Sequence, residues 1–556
     1  QYQKEMTMPD TSPAPDGTKF DPDKFRLRRF VEHLEDIGEL EIHEEPVSLA
    51  DLSSHIEATD KAILFRAAGP EGVELVANVS GSRARLAAAL GVSEEGAVAE
   101  FQRRLDNPQP VFTVDAKDAP VREVVFTGDD IDLAKLPFHP QHAFDGSAYL
   151  SSALDFCIDP ETGITNVGAR RLSLRSKTEA GTNVTAPSDL QRIYRAAVAR
   201  GEKLPISFAV GSDPVDHLAA GMRMPVDEAT LVGTIRGEPV PLVKSLTNDI
   251  GVPADAEMII EGYLDERGYV EPEGPYGEYV GYYGAMHLDP VFHVTAITQR
   301  RDMLHQSMLH GAGRVLRRME SAHLLGLRNE AGIFKMLREA GFQVSQVYIP
   351  PSGAEGQQIR VAFDQMRPGQ ARNVISLIMA RVHGAKHVTV TDADIDIRDA
   401  DDMEWAMASR FQADRDMMLF TGMMGMPMDP SLEEGPTGAK AGFDMTMPMF
   451  RRGQLIATVA EAPVIDGPAR HQTVAQALEK GPMYFTEIMG ALGSRDGREI
   501  ALELDELRSQ GKLMRNGKGQ YELGQAEPRS TGLTEDAKHH ISLDPNAKLQ
   551  ALSRTK

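Results

Sequence analysis

EPEGPYGEYVGYYG, residues 271–284, carries two carboxylates, Glu273 and Glu278, separated by Gly-Pro-Tyr-Gly. Gly274, Pro275 and Gly277 do not suit a helix interior, so the stretch is a turn or a strand edge. A short rigid turn aims two acids at one point, which proton transfer needs. Exposed acids on a polar loop are the ordinary alternative. Here Tyr276, Tyr279, Tyr282 and Tyr283 are interleaved, an unusual content for a solvated loop.

Strand-like runs surround this turn. FCID, RRLSL, PISFAVG, TLVGTI, MIIEGYL and VFHVTAIT, punctuated by Gly and Pro, read as a β-rich domain over 125–310, a barrel. Before it, 23–43 reads as helix, with Phe25, Phe30, Val31, Leu34, Ile37 and Leu40 near helical spacing. Runs at 62–66 and 72–78 read as strands and 82–105 as helices, which makes an α/β domain over 23–124. A linker helix over 311–335 leads to QVYIP, IRVAFD, a helix near 370–383 and HVTVTDADID, the alternating units of a C-terminal α/β domain over 336–460. The fold class is α/β (α+β) and multidomain. In 470–523, VAQALEK, FTEIMGAL and REIALELDELRSQ read as three helices and KLMRNGKGQYEL as a two-stranded wing, an order that resembles a winged helix. Residues 1–22 and 524–556 are expected to be disordered tails.

A chain of 556 residues exceeds one core, and 41% hydrophobic with 25% charged residues is ordinary globular composition. The single cysteine, Cys157, excludes a disulfide framework and suits a reducing cytosol. No apolar run approaches the roughly 18 residues of a membrane span, and the polar N-terminus lacks a signal pattern, so a cytoplasmic protein is expected. The net charge of −23 argues against nucleic acid as the main partner. The winged-helix-like segment is itself balanced, with eight basic and eight acidic residues, which points to protein contact or oligomer packing. An anionic substrate, repelled at long range, needs local arginines, and Arg170, Arg171 and Arg175 are the candidates.

The motif EGPYGEYVGYYG closely resembles that of the UbiD-type decarboxylases, which use prenylated flavin mononucleotide. TNVGARR at 165–171, DEATLVG at 227–233, VKSLTNDIGVPADAEMIIEG at 243–262, VTVTDADIDIRDADDMEWAMASR at 388–410 and GAKAGFDMTMP at 438–448 follow the same pattern in the same order. The resemblance spans about residues 25–455 and implies a carboxy-lyase with a split-barrel flavin-binding domain and a homodimer or higher homo-oligomer. It further implies a small carboxylic acid as substrate and a flavin prenyltransferase as cofactor supplier.

Decarboxylation leaves an electron pair on carbon that no side chain can absorb, so an electron-sink cofactor is required. The resemblance places the proton donor at Glu278, its charge partner at Glu273 and a bridging guanidinium at Arg171. Adjacent Arg170 and Arg171 on a strand face opposite ways, so at most one reaches the acids. For the cofactor phosphate, the resemblance implies a divalent ion held by Asn166, Glu228 and a residue that is usually histidine. Here Asp189 takes that place. Asn, Asp and Glu form an all-oxygen set suited to Mn2+ or Mg2+, with K+ as a companion ion. The alternative for Asp189 is a cap for the helix LQRIYRAAVAR, since Ser188 and Asp189 precede it. Ala169, Arg170, Arg171, Ser188 and Lys440 complete the cofactor-binding set that the resemblance implies.

Other candidates fall to simpler readings. Asp392, Asp394 and Asp396 mimic a calcium loop but lack its central Gly and final Glu, and read as a strand end at a subunit interface. HGAGRV at 310–315 is too thin for a dinucleotide fingerprint. Met417, Met418, Met423, Met424, Met426 and Met428 read as adaptable core, with a hydrophobic substrate pocket as the alternative. Trp405 reads as buried in a helix. Cys157 has no relay to make it a nucleophile. Two rival functions use the same chain: a non-catalytic flavin-binding scaffold with the winged-helix-like segment as output, and a split-barrel flavin reductase. Neither needs Glu273 and Glu278 together.

Overall fold

The computed structural model describes residues 20–185, 187–310, 318–433, 435 and 437–525. Most of both expected tails, and HGAGRV beyond His310, lie outside the described residues. The chain forms two compact units, one running to Thr446 and one beginning at Met447.

The barrel is built from β1 (Tyr149–Ile158), β2 (Thr165–Leu174), β3 (Glu179–Thr182), β4 (Leu204–Val210), β5 (Met258–Leu264) and β6 (Val291–Gln299). Antiparallel neighbours run β5, β4, β1, β2, β3, β6, and β6 pairs back onto β5 to close the ring. Closure leaves none of the six with a free edge, which removes the hazard of unpaired backbone. One apolar core includes Cys157, Leu172, Phe208 and Phe292; another, on Leu154, Phe156, Val167 and Ile259, packs with surrounding helices. Cys157 is buried and free, and burial pushes its thiol pKa well up, which leaves it inert.

In the N-terminal region the helix is shorter than expected, Leu27–Asp36, burying Leu27, Phe30, Val31 and Leu34. Gly38, at φ 75°, ends the helical path, and Leu40–His43 then becomes a strand parallel to Ala62–Ala68. The other strand and helices of 62–105 form as expected, at Val73–Ala77, Arg83–Leu90 and Ala97–Leu105. His305–Ser307 adds a fourth strand beside Val73–Ala77.

TLVGTI, expected as strand, lies in the helix Glu228–Arg236. Its caps outweigh its β-branched content. Asp227 accepts from the amides of Ala229 and Thr230 at 3.0 and 3.3 Å, worth about 1 kcal/mol, and Gly237 closes the helix in the left-handed region. The far end is pinned by Arg236, buried between Asp216 and Asp255 with contacts of 2.7 and 2.6 Å. Removing one partner from such a buried set costs about 3–5 kcal/mol.

The C-terminal sheet orders Val344–Tyr348, Gln358–Phe363, His387–Thr391, Thr437–Met445 and Met417–Met424. The methionines divide: Met417 and Met424 are exposed on the edge strand Met417–Met424, Met418 packs against the C-terminal core, and Met423, Met426 and Met428 are half-buried. Trp405 is 43% exposed on the helix Ala400–Arg410, with the Arg410 guanidinium over its ring at 5.4 Å. Arg410 also pairs with Asp394 at 2.7 Å and Asp392 at 3.4 Å, while Asp396 accepts from the Arg398 amide. These aspartates therefore serve local structure.

In the second unit, helices Val474–Leu478, Phe485–Leu492 and Arg498–Ser509 precede strands Leu513–Arg515 and Tyr521–Leu523, and Met483 bridges to Tyr521. This is a winged-helix-like arrangement around Val474, Ile488, Ile500 and Leu504.

Candidate active site

β2 supplies the arginines, and its two faces separate them. Arg171 donates from Nε and Nη2 to Glu273 at 3.0 and 3.1 Å, and from Nη1 to Glu278 at 3.0 Å. Arg170 turns to the opposite side, 3.2 Å from Asp155 and 3.3 Å from the Ser188 hydroxyl.

The acid-bearing stretch is two small ribbons. Glu271–Glu273 pairs with His287–Asp289, and Tyr276–Gly277 pairs with Tyr283–Gly284. The Glu278 amide donates to Tyr282 O at 2.9 Å, tightening the tip. The 141–146 loop buttresses the turn from behind. Asp145 accepts from the Gly277 amide at 3.1 Å, Gly146 donates to Pro275 O at 2.8 Å, and Tyr276 OH bonds Gln141. His142 lies so close that a Cβ on Gly277 would meet its ring at 2.3 Å, so this position accepts only glycine.

Burial raises both acids, and their partners split them. Glu273 is fully shielded; burial alone would raise its pKa, but the nearby His287 and the hydrogen bonds from Arg171 hold it at about 2. Glu278 is raised, first by burial and then by the charge of Glu273, against the pull of Arg171. Two carboxyls with pKa values pushed apart are the arrangement in which one stays charged and the other carries a proton. The Arg171 guanidinium also lies 4.2 Å over the Tyr276 ring, which fixes its plane.

The other face of β2 gathers acids. Asn166 donates from Nδ2 to Asp155 at 3.2 Å, so its carbonyl oxygen is the atom left for an ion. Glu228, at the start of its helix, accepts from the Val167 amide at 2.7 Å. Burial pushes Glu228 up to about 8, and Asp155, Asp189 and Asp227 add to the rise. Asp155 faces Gly168 across the strand pair, where a Cβ would come within 2.6 Å of its carboxylate. Ser188 caps the helix Asp189–Ala199, its hydroxyl accepting from the Gln191 amide at 3.2 Å. Asp189 is therefore not the cap but the first helical residue, its side chain 49% exposed and 3.6 Å from Arg192. Ala169 lies on the Arg171 side of the strand, by alternation.

Lys440 stands apart from this cluster. It is buried in the C-terminal sheet and donates to His383 O at 2.8 Å. It shares the lining of a small cavity with Met426, whose sulfur takes a 3.6 Å contact from the Tyr279 hydroxyl. Sequence reasoning missed His287, Asp289, Asp155, Gln141 and Asp145. Their roles depend on strand register or on loop packing, and no local motif marks them.

Arg171, Glu273 and Glu278 thus meet on one face of a barrel strand, and Asn166, Asp155 and Glu228 gather on the other. Known proteins resemble this chain along most of its length. Three family models match in order: the N-terminal domain of 3-octaprenyl-4-hydroxybenzoate carboxy-lyase over residues 31–105, its Rift-related domain over 112–313 and its C-terminal domain over 322–445. The anhydromevalonate phosphate decarboxylase of Methanosarcina mazei is 29% identical over 428 residues, covering 76% of this chain and 97% of that protein. The UbiD-class enzyme HmfF from Pelotomaculum thermopropionicum, solved with FMN, is 31% identical with a TM-score of 0.74 over 79% of this chain and 98% of its own. The 3,4-dihydroxybenzoic acid decarboxylase of Enterobacter cloacae is 26% identical with a TM-score of 0.73, covering 80% and 98%. The chain belongs to the UbiD family and is a carboxy-lyase.

Proposed function

We propose that the chain catalyses the non-oxidative, reversible decarboxylation of an aromatic, heteroaromatic or conjugated carboxylic acid with prenylated FMN. The observation that carries this is Arg171 bound to both Glu273 and Glu278, with the first held low and the second raised. HmfF has been solved with FMN and, in an evolved dimeric form, with prFMN, which supports the cofactor and a homo-oligomer.

Bound prenylated FMN supplies an electrophilic carbon that takes up the electron pair released as CO2 leaves. Glu278 then gives its proton to the substrate carbon, and R–COO⁻ plus H⁺ becomes R–H plus CO2. Arg171 Nη1 stabilises the carboxylate that Glu278 becomes. Glu273 keeps Arg171 oriented and compensated throughout. In the reverse direction Glu278 takes the proton from carbon. On the opposite face, Arg170 and the helix N-terminus at Ser188 would hold the phosphate. Asn166, Asp189 and Glu228 would hold a hard divalent ion, Mn2+ or Mg2+, with K+ nearby. What supports it is the crowding of negative charge that raises Glu228, with Asp155, Asp189 and Asp227 as contributors, which a cation would relieve. The scaffold and reductase alternatives leave the paired glutamates unused. Among the described residues no helix is long and apolar enough to cross a membrane.

Protein made without a flavin prenyltransferase is expected to be folded, to carry plain flavin or none, and to release no CO2 from benzoate-like, heteroaromatic or cinnamate-like acids. Co-expression with the prenyltransferase should restore release from at least one of them. Robust turnover by the unsupplied protein would remove the cofactor from the mechanism.

Asp189 gives a second test. As a ligand, Asp189→Asn should lower the metal and flavin content of purified protein, and Asp189→His should partly restore both with a neutral imidazole. As a first-turn acid only, Asn should cost a few tenths of a kcal/mol of helix-dipole stabilisation and leave both contents unchanged.

A further inference from the structure

The ribbon that carries Glu273 places a histidine directly opposite it: the register pairs Glu273 with His287 and Glu271 with Asp289. Opposed and alternate residues of an antiparallel pair share one face, so all four side chains lie together. Glu271 is taken by Arg175 at 3.4 Å. His287 Nδ1 lies 3.1 Å from Ala285 O. A carbonyl oxygen only accepts, so Nδ1 carries a proton. Nε2 lies 3.0 Å from Glu273 Oε2 and 3.3 Å from Asp289 Oδ1. A bare lone pair on Nε2 would face two oxygens that are themselves acceptors. Nε2 therefore carries a proton as well, and the ring is an imidazolium.

Asp289 makes that charge necessary. It is fully buried, and neither carboxylate oxygen has a hydrogen-bond partner of good geometry among the described residues; the His287 ion pair is the contact it has. An uncompensated buried carboxylate this close to Glu273 would force one of the two to take up a proton. The three ligand atoms lie within 4.8 Å of one another, a spacing that suits a metal ion as well as a proton. However, Arg171 already occupies both oxygens of Glu273, so a dication there would sit beside a guanidinium.

Resting on the decarboxylase reading above, we infer that His287 is a positioning residue: its imidazolium neutralises buried Asp289, so that Glu273 stays anionic and holds Arg171 against Glu278. The groups facing it are Glu273 from the opposed strand, Asp289 from its own, and, through Glu273, Arg171 from β2, Glu278 from the turn and Tyr149 from β1. The close carboxylates of Asp289 and Glu273 push the His287 pKa up to about 10, so the charge persists through neutral pH. The stability it contributes is complete below the ordinary histidine range near 6.5 and is lost as pH rises through about 10.

The direct test is the ¹⁵N shift pair of His287 in histidine-labelled holoprotein at pH 7.5, assigned by loss of the signal in His287→Gln. Both nitrogens should be protonated; a neutral ring, with or without added zinc, overturns the proposal whatever the enzyme's substrate proves to be. Kinetics supply the second arm. His287→Gln should keep flavin content and KM but lose kcat by roughly 10- to 100-fold at pH 7.5, as small displacements of reacting groups do. Lowering the pH should recover part of the loss, because a proton then replaces the imidazolium. His287→Gln combined with Asp289→Asn, which removes both charges, should recover kcat relative to the single variant. An unchanged kcat in the single variant, or a loss that neither acid nor Asp289→Asn relieves, overturns the proposal. If wild type turns over no acid tried, the decarboxylase reading fails while the ¹⁵N result still decides the state of His287.

Discussion

Glu278→Gln is expected to leave the fold and the bound flavin intact and to lower CO2 release by about 100- to 10,000-fold, the usual worth of general acid catalysis. Glutamine fills the same space and can still accept from Arg171 Nη1, now 3.0 Å from Glu278 Oε1, so the geometry should survive. What disappears is the transferable proton. In the wild type the same logic sets the pH dependence. Glu278 must be protonated to act as an acid, and burial raises its pKa, so decarboxylation should decline as pH rises through that raised value. In the variant this limb should vanish along with the rate. Retention of more than about a tenth of the wild-type kcat, a loss well below that expected of a general acid, would take Glu278 out of the role.

Arg171→Ala should be the more damaging of the two adjacent arginine variants. It removes three hydrogen bonds and leaves Glu273 buried with its charge met by His287 alone. Breaking a buried ion pair from one side costs on the order of 3–5 kcal/mol, and Glu278 would lose its stabilising partner as well. Activity should fall to background, and thermal stability should drop. Arg170→Ala touches Asp155 and Ser188 instead. Its effect should appear as reduced flavin retention, with turnover per bound flavin largely kept. Equal and mild effects of both substitutions on turnover per flavin would show that Arg171 does not serve the acid pair.

The meeting of Arg171 with Glu273 and Glu278 was legible because each lies in a short pattern and strand alternation leaves only one of two adjacent arginines free to face the acids. The barrel was legible from punctuated apolar runs. TLVGTI was not, because its β-branched residues suggest a strand while Asp227 and Gly237, one at each end, impose a helix. Trp405 was misplaced because an apolar ring on a helix reads as core, whereas here it serves as a platform for Arg410. His287 was invisible for a different reason. Nothing near it in sequence hints at its partner, and only the pairing of the ribbon sets it against Glu273.

The two faces of β2 bear on which sequence changes this chain can tolerate. Asn166 and Arg170 share one side, Ala169 and Arg171 the other, and the pairing of Leu154–Ile158 with Thr165–Ala169 holds that assignment in place. One residue inserted between Asn166 and Arg171 would rotate everything beyond it by half a turn of the pleat. Placed before Arg170, the insertion would make the two guanidinium groups exchange faces, and buried Leu172 and every later residue of β2 would leave its side, so the barrel core would be lost in a single event. Insertions at Glu161–Gly163, in the connection before β2, meet no such constraint. Length variation among functional descendants of this chain should therefore collect in that connection and stop at Asn166.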